Sequence, residues 1–135
     1  MQLVGTVYFN VTTWRALDTA VGSPSYDRLV WRPDALGSAC FLVAGYLAYV
    51  EVTGGLVRRP PRTVEGGIVA VNLIGCLAFG LAAVASYVVP DTAGEADAAL
   101  AGAATSAGAA AFLLGALLLL PEGVRTPAQV PGRVG

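Results

Sequence analysis

The stretch "GGIVAVNLIGCLAFGLAAVASYVV", residues 66–89, decides the fold of this chain, because it holds no charged residue. A second uncharged run, "AALAGAATSAGAAAFLLGALLLL", covers residues 98–120. Each run exceeds the roughly 20 residues with which a helix crosses about 30 Å of hydrocarbon. Backbone polar groups find no water there, so both runs are predicted to be transmembrane helices. The alternative, two buried helices of a soluble protein, is disfavoured because only 13% of the chain is charged, against about a quarter in soluble domains.

Two more helices are predicted in the N-terminal half. The first covers about residues 2–20, and Arg15 limits its apolar part to about 20 Å at ~1.5 Å per residue. It crosses a membrane only if Arg15 snorkels toward the interface. The second begins near Pro33, with Asp34 as its N-cap, and ends before Gly54.

The third and fourth helices follow the two uncharged runs. The third is predicted to begin after Gly67 and to end at Pro90, and the fourth to begin near Glu95 and to end at Pro121. The acidic residues of the connection 91–97 suit the N-terminus and dipole of the fourth helix.

One motif recurs in each predicted helix. Every Phe of the chain has a Gly four residues earlier, and a polar residue stands three residues before that Gly. The four copies are Gln2, Gly5 and Phe9; Asp34, Gly37 and Phe41; Asn72, Gly75 and Phe79; and Thr105, Gly108 and Phe112. Alternate copies are almost evenly spaced along the chain, which indicates a duplicated helical hairpin.

The motif is interpreted as a device for helix packing in lipid. Gly lets a neighbouring backbone come close, and Phe one turn later fills the space beside that contact. Asn72 is then expected to hydrogen-bond across two helices, a contribution of about 0.6–2 kcal/mol. The alternative is that Asn72 lines a polar cavity for an ion or small solute. Gly102, Ser106 and Ala110 form a second small-residue face on the fourth helix.

The predicted fold is therefore all-α: an up-down, integral membrane four-helix bundle over residues 1–121. Its two repeated transmembrane hairpins cover about residues 1–55 and 64–121. Residues 122–135 form a Pro- and Gly-rich tail that is expected to be mobile. Because Gly5 lies nearer its helix start than the later motif glycines do, the first helix either begins short or continues upstream in the natural chain by about five residues.

The arginines predict the orientation in the cell membrane. Cytoplasmic connections carry an excess of basic residues. The second connection and the tail hold most of them: Arg58, Arg59, Arg62, Arg125 and Arg133. A multi-pass protein with both termini in the cytoplasm is expected. The first three of these arginines are either topology determinants alone or also contacts for anionic lipid headgroups.

The chemistry of catalysis is missing from the sequence. The chain has no His and no Lys, and its one Met is residue 1, so haem, His-based metal sites and Schiff bases lose their usual ligands. Cys40 and Cys76 lie in apolar segments and are interpreted as small hydrophobic residues. The net charge of −1 gives no field for nucleic acid. We therefore expect no enzyme, no cofactor, no metal and no nucleic-acid partner.

Glu51 is the one acid near bilayer depth in the second helix. The simpler interpretation is an interfacial carboxylate paired with Arg58, Arg59 or Arg62. The alternative is a proton-linked or cation-coupling acid, because intramembrane acids are commonly functional.

The segments "RPDALGSACFLVAGYLA" and "NLIGCLAFGLAA" resemble the Gly-Ser-x-x-Phe helices of YrhK-like bacterial membrane proteins, which are two-helix units that also occur in tandem. Cys76 departs from the family pattern, which has Ser beside Gly. The resemblance implies a helical membrane fold and no particular activity.

Together these features predict a small structural or accessory membrane protein, surrounded by lipid, that forms a homo-oligomer or joins a larger membrane complex. The alternative is a small transporter or channel whose path is lined by Asn10, Glu51, Asn72 and Thr105. A lipid- or pigment-binding protein is a third class, which would need an apolar groove.

Overall fold

The structure, a computed structural model, describes residues 1–89, 91–92 and 94–123, with side chains described as far as residue 120. Within these residues the chain forms four α-helices, α1 (Gln2–Ala16), α2 (Arg32–Thr53), α3 (Val64–Ala85) and α4 (Ala98–Gly123). A π-helical turn, Asp27–Trp31, leads into α2, and two short strands, β1 (Val88–Val89) and β2 (Gly94–Glu95), lie between α3 and α4. The predicted all-α class is confirmed.

Three helical segments of the described chain are long and apolar enough to cross a membrane: Asp27–Thr53, Val64–Ala85 and Ala98–Leu120. Helix α1 has 15 residues, so it extends about 22 Å at ~1.5 Å per residue, less than the ~30 Å of a hydrocarbon core. The predicted weakness of the first helix as a membrane span therefore agrees with its observed length.

Helix α2 ends as its sequence predicts and begins differently. Gly54 takes the left-handed conformation at φ 65°, and its N–H donates to the Val50 carbonyl at 2.9 Å. A left-handed residue after the last turn is normally Gly. The expectation that Asp34 is the N-cap is wrong. Trp31 and Arg32 are already helical, so the π-helical turn continues into α2 and places Asp34 inside its first turn.

Helix α3 starts earlier and ends earlier than predicted. Thr63 caps it, and its Oγ1 accepts a hydrogen bond from Gly66 N at 3.2 Å. At the other end the helix stops at Ala85 rather than at Pro90, because Val88 and Val89 leave the helix and pair antiparallel with Glu95 and Gly94. The connection between α3 and α4 is thus a small paired loop.

Helix α4 starts at a side-chain cap. The Leu100 N–H donates to Asp97 Oδ1 at 2.9 Å, which confirms that the acidic connection serves the helix N-terminus. The helix continues to Gly123, two positions past the predicted end at Pro121. Most of the predicted tail, residues 124–135 with Arg125 and Arg133, lies outside the described residues.

The helices pack in chain order, α1 on α2, α2 on α3 and α3 on α4. Consecutive helices run antiparallel, as contacts between α2 and α3 illustrate. Near one end Trp31 Nε1 donates to the Ala83 carbonyl at 2.9 Å, and toward the other end Gly45 lies against Cys76. Helices α1 and α4 both line two cavities, to which α2 and α3 also contribute residues.

Candidate functional site

The first glycine pair joins α1 to α2. Gly5 and Gly37 are both buried. A Cβ placed on Gly5 would lie 3.0 Å from the Phe41 ring and 3.2 Å from the Gly37 carbonyl oxygen. A Cβ on Gly37 would lie 3.3 Å from the Phe9 ring. Each helix therefore gives up a side chain where the other inserts its Phe, and neither position has room for a larger residue.

The same exchange joins α3 to α4. A Cβ on Gly75 would lie 2.9 Å from the Phe112 ring and 3.3 Å from the Gly108 carbonyl oxygen. A Cβ on Gly108 would lie 3.3 Å from the Phe79 ring and 3.2 Å from the Gly75 carbonyl oxygen. Two reciprocal Gly–Phe exchanges thus occur, one between α1 and α2 and one between α3 and α4.

The four Phe rings meet at the middle of the bundle. Ring centroids are 5.3 Å apart for Phe9–Phe41 and for Phe9–Phe79, and 5.6 Å apart for the stacked pair Phe79–Phe112. Phe41 is 5.8 Å from Phe112 and 6.4 Å from Phe79. These separations lie in the range of favourable aromatic pairs. The rings connect the two helix pairs to each other.

The rings also floor a cavity between α1 and α4, which we call the aromatic groove. Its volume is about 560 Å³. Gln2 and Thr6 of α1 and Ala109 of α4 form its walls. The residue that follows the motif Gly is almost fully buried in α2 and α3, where it is Ser38 and Cys76. The corresponding residues of α1 and α4, Thr6 and Ala109, face the open groove instead.

The polar members of the motif do not share one environment. Gln2 is exposed at the rim of the aromatic groove. Its main-chain carbonyl accepts a hydrogen bond from the Thr6 hydroxyl at 3.1 Å. The Asn72 side chain lies against Gly115 of α4, so it contacts the neighbouring helix. The predicted hydrogen bond across the two helices is not found among the described residues. The Thr105 hydroxyl donates to the carbonyl of Ala101 in its own helix at 2.8 Å.

The residues of the predicted transport path are not brought together. Asn10 is exposed, and its amide donates to the Thr6 carbonyl at 2.8 Å. Glu51 is exposed in the last turn of α2, at the end of the bundle opposite the cavity that Thr105 borders.

The predicted ion pair of Glu51 does not form. The one ion pair within the described residues joins Arg32 Nε to Asp27 Oδ2 at 2.8 Å. Arg58 instead folds its aliphatic part over Gly55, and its carbonyl accepts the Tyr49 hydroxyl at 2.7 Å. The connection after α2 is therefore held by hydrogen bonds from tyrosine and not by charge pairing. Arg58, Arg59 and Arg62 are all exposed.

The contact between α2 and α3 is the part of the packing that the motif analysis missed. The Ser38 hydroxyl donates to the Phe79 carbonyl at 3.3 Å. Cys76 fills the space beside Gly45, and Leu42 fills the space beside Gly80. Small residues that directly follow a motif Gly, or that lie between about one and two turns beyond it, are the signal in the sequence for this second packing face.

A second cavity between α1 and α4, which we call the polar chamber, has a volume of about 530 Å³. It lies at the end of the bundle that carries the α1–α2 and α3–α4 connections. Its polar lining comes from every part of the fold: Thr12, Thr13, Tyr26, Trp31, Asp34, Ser86, Glu95 and Thr105. Asp34, a motif residue, and Thr105 are the two predicted site residues that the chamber brings to one place.

Tyr26 is buried in the wall of the chamber. Burial raises the pKa of its phenol, and the negative charges of Glu95 and Asp34 raise this pKa further. Sequence reasoning did not assign Tyr26 to any site, and it placed Glu95 only at the start of the fourth helix, because neither residue stands in a motif that indicates a binding site.

Comparison with models of known protein families, with curated proteins and with solved structures gives no match.

Proposed function

We propose that this protein is a small structural or accessory component of a membrane, which associates with further copies of itself. The observation that carries the proposal is one face of α4, which borders the polar chamber at Gly102 and continues along the helix beyond it. Gly102, Ser106 and Ala110 are exposed one turn apart, and a Cβ on Gly102 would meet nothing within 4 Å. Lipid is as apolar as a helix surface, so helices associate in it mainly where small residues allow close approach.

Three other glycines of α3 and α4 are already used inside the bundle. Gly75 and Gly108 contact each other's backbones, and Gly115 receives the Asn72 amide. The Ser106 hydroxyl donates to the Gly102 carbonyl at 2.9 Å, so this face presents no unsatisfied donor to a neighbouring helix. The face on α4 therefore has the composition of a packing surface without a neighbour in the described part of the chain.

The proposal includes the arrangement in the membrane. We propose that α1–α2 and α3–α4 are the two copies of a duplicated hairpin, since each contains one reciprocal Gly–Phe exchange. The exposed large apolar side chains, such as Leu3, Leu77 and Leu113, would then contact lipid chains. In this arrangement the exposed arginines after α2 face the cytoplasm, as both termini do, and lie near lipid headgroups.

The structure gives the transport alternative little support, because its four polar residues lie in separate places. A YrhK-like origin would account for a repeated two-helix unit and adds no activity. We propose no catalytic role, no cofactor and no nucleic-acid partner.

The test compares Ser106→Leu with Ala107→Leu. Both positions are exposed on α4, and they differ by about 100° around the helix. The protein is labelled with a donor or an acceptor dye and mixed in phosphatidylcholine vesicles, and energy transfer is followed as lipid is added. Wild type and Ala107→Leu should keep transfer at dilutions where Ser106→Leu loses it. Loss of transfer in wild type at the lowest dilution, or equal transfer in both variants, would contradict the proposal.

A further inference from the structure

The polar chamber holds two carboxylates that no cation of the described residues offsets. Asp34 comes from the first turn of α2, and Glu95 comes from β2, which the pairing with Val88 holds in place. Both line the chamber, and among the described residues no arginine lines it. Arg32, close in sequence to Asp34, is engaged with Asp27. The chamber is therefore a concave site with uncompensated negative charge.

Thr12 gives an independent sign that the chamber receives a ligand. Its side chain is only 8% exposed and lines the chamber. Its Oγ1 is the one buried side-chain oxygen or nitrogen in the described chain that has no hydrogen-bond partner. A buried hydroxyl without a partner costs about 1–3 kcal/mol, so such groups are normally satisfied.

The other helical hydroxyls show how easily Thr12 could have been satisfied locally. Thr6, Thr13 and Thr105 each donate to the carbonyl four residues earlier, at 3.1, 2.8 and 2.8 Å. Thr12 makes no such bond to the Tyr8 carbonyl. Its hydroxyl is therefore an unpartnered polar group in the wall of the chamber.

The size and lining of the chamber favour an organic cation over a metal ion. A volume of about 530 Å³ suits a small organic molecule better than a bare ion. The described residues contain no group of three His, Cys, Asp or Glu that would hold a metal. The rings of Tyr26 and Trp31 border the same space, and aromatic faces attract organic ammonium groups.

We propose that the polar chamber binds a small organic cation with an ammonium group. Asp34 and Glu95 supply the countercharge, Thr12 accepts a hydrogen bond from the ammonium, and the aromatic walls contact its carbon skeleton. The chamber shares Gly102 with the proposed association face of α4, but Asp34, Glu95 and Thr12 lie outside that face, so the two proposals rest on different side chains.

The experiment is calorimetric titration of the purified, detergent-solubilised full chain with benzylammonium, and with benzyl alcohol as the neutral probe of matched shape. Benzylammonium should bind saturably and at least about tenfold more tightly than the alcohol, since one charge-assisted hydrogen bond accounts for roughly that factor. Glu95→Gln and Asp34→Asn should each weaken benzylammonium binding about tenfold, and Thr12→Val should weaken it several-fold.

Matched controls separate the site from a general effect of charge or folding. Glu51→Gln removes an acid at the opposite end of the bundle, and Thr6→Val removes a hydroxyl that is already bonded within its helix. Both should bind like wild type, and circular dichroism checks that every variant keeps its helices. Equal affinity for alcohol and cation would show a merely apolar cavity and overturn the proposal. Displacement of benzylammonium by micromolar Ca²⁺, or unchanged binding in Glu95→Gln and Thr12→Val, would overturn it as well.

Discussion

Adding one methyl group at Gly75 tests the reciprocal Gly–Phe exchange. The new Cβ would lie 2.9 and 3.0 Å from two atoms of the Phe112 ring and 3.3 Å from the Gly108 carbonyl oxygen. Carbon atoms pack at about 3.5–4.0 Å, so the ring or the helix must move by roughly half an ångström or more. A shift of Phe112 would disturb its stacking on Phe79 at 5.6 Å and its contact with Phe41 at 5.8 Å.

The change in the free energy of unfolding that Gly75→Ala causes is the sum of two opposed effects. Replacing Gly by Ala in a helix interior stabilises it by up to about 1 kcal/mol. Overpacking a closely fitted contact costs about 1–3 kcal/mol. Gly67 of the same helix supplies the control, because a Cβ there would meet nothing within 4 Å. Gly75→Ala should therefore be less stable than Gly67→Ala by about 1–3 kcal/mol.

The assay is reversible unfolding in mixed micelles of a mild detergent and dodecyl sulfate, followed by circular dichroism. The double variant Gly75→Ala/Phe112→Leu removes the ring that the methyl group meets. It should show a favourable coupling energy relative to the two single variants. If Gly75→Ala is as stable as Gly67→Ala, the close approach of α3 and α4 at this point is not what holds them together.

Three further predictions concern the ends of the helices and one buried phenol. Asp97→Ala removes the cap of α4 and should lower the free energy of unfolding by about 1 kcal/mol, whereas Asp91→Ala in the same connection should leave it unchanged in the same micelle assay. Gly54→Ala must adopt a positive φ, so it should destabilise by about 1 kcal/mol where Gly67→Ala does not, and equal melting curves would refute the left-handed end of α2. The pKa of Tyr26 is raised in the folded protein, so the phenol ionises first in the unfolded chain. The stability linked to this phenol is therefore present below pH 10 and is lost as the pH rises above 10. Tyr26→Phe should remove that part of the loss, measured by comparing the free energy of unfolding at about pH 8 and at about pH 11.

The helices were predictable because their signals are local. The absence of charge from residues 66–89 and 98–120 sets two spans, and Gly54 marks the end of another element. Where the signal is nonlocal the prediction was less accurate. Helix α3 stops before Pro90 because Val88 finds a partner in Glu95, and no single stretch of sequence states that pairing.

The candidate sites show the same division. The spacing of Gly and Phe predicts that Gly75 and Phe79 share a face of one helix, but it does not state that Phe79 inserts beside Gly108 of the next helix. That partner is set by the antiparallel crossing. The polar chamber could not be predicted, because no sequence pattern marks Thr12 or Tyr26 as part of a site. They come together only when the connections fold over the helix ends.

The reciprocal fit of Gly and Phe between neighbouring helices also constrains how this chain can diverge. A bulkier residue at Gly5 conflicts with the ring of Phe41, and a bulkier residue at Gly108 conflicts with Phe79. A lineage that enlarges one member must shrink the other, so tolerated changes should arise as compensating pairs. An evolutionary record of this protein would then show correlated replacement between these positions, one on each of two adjoining helices.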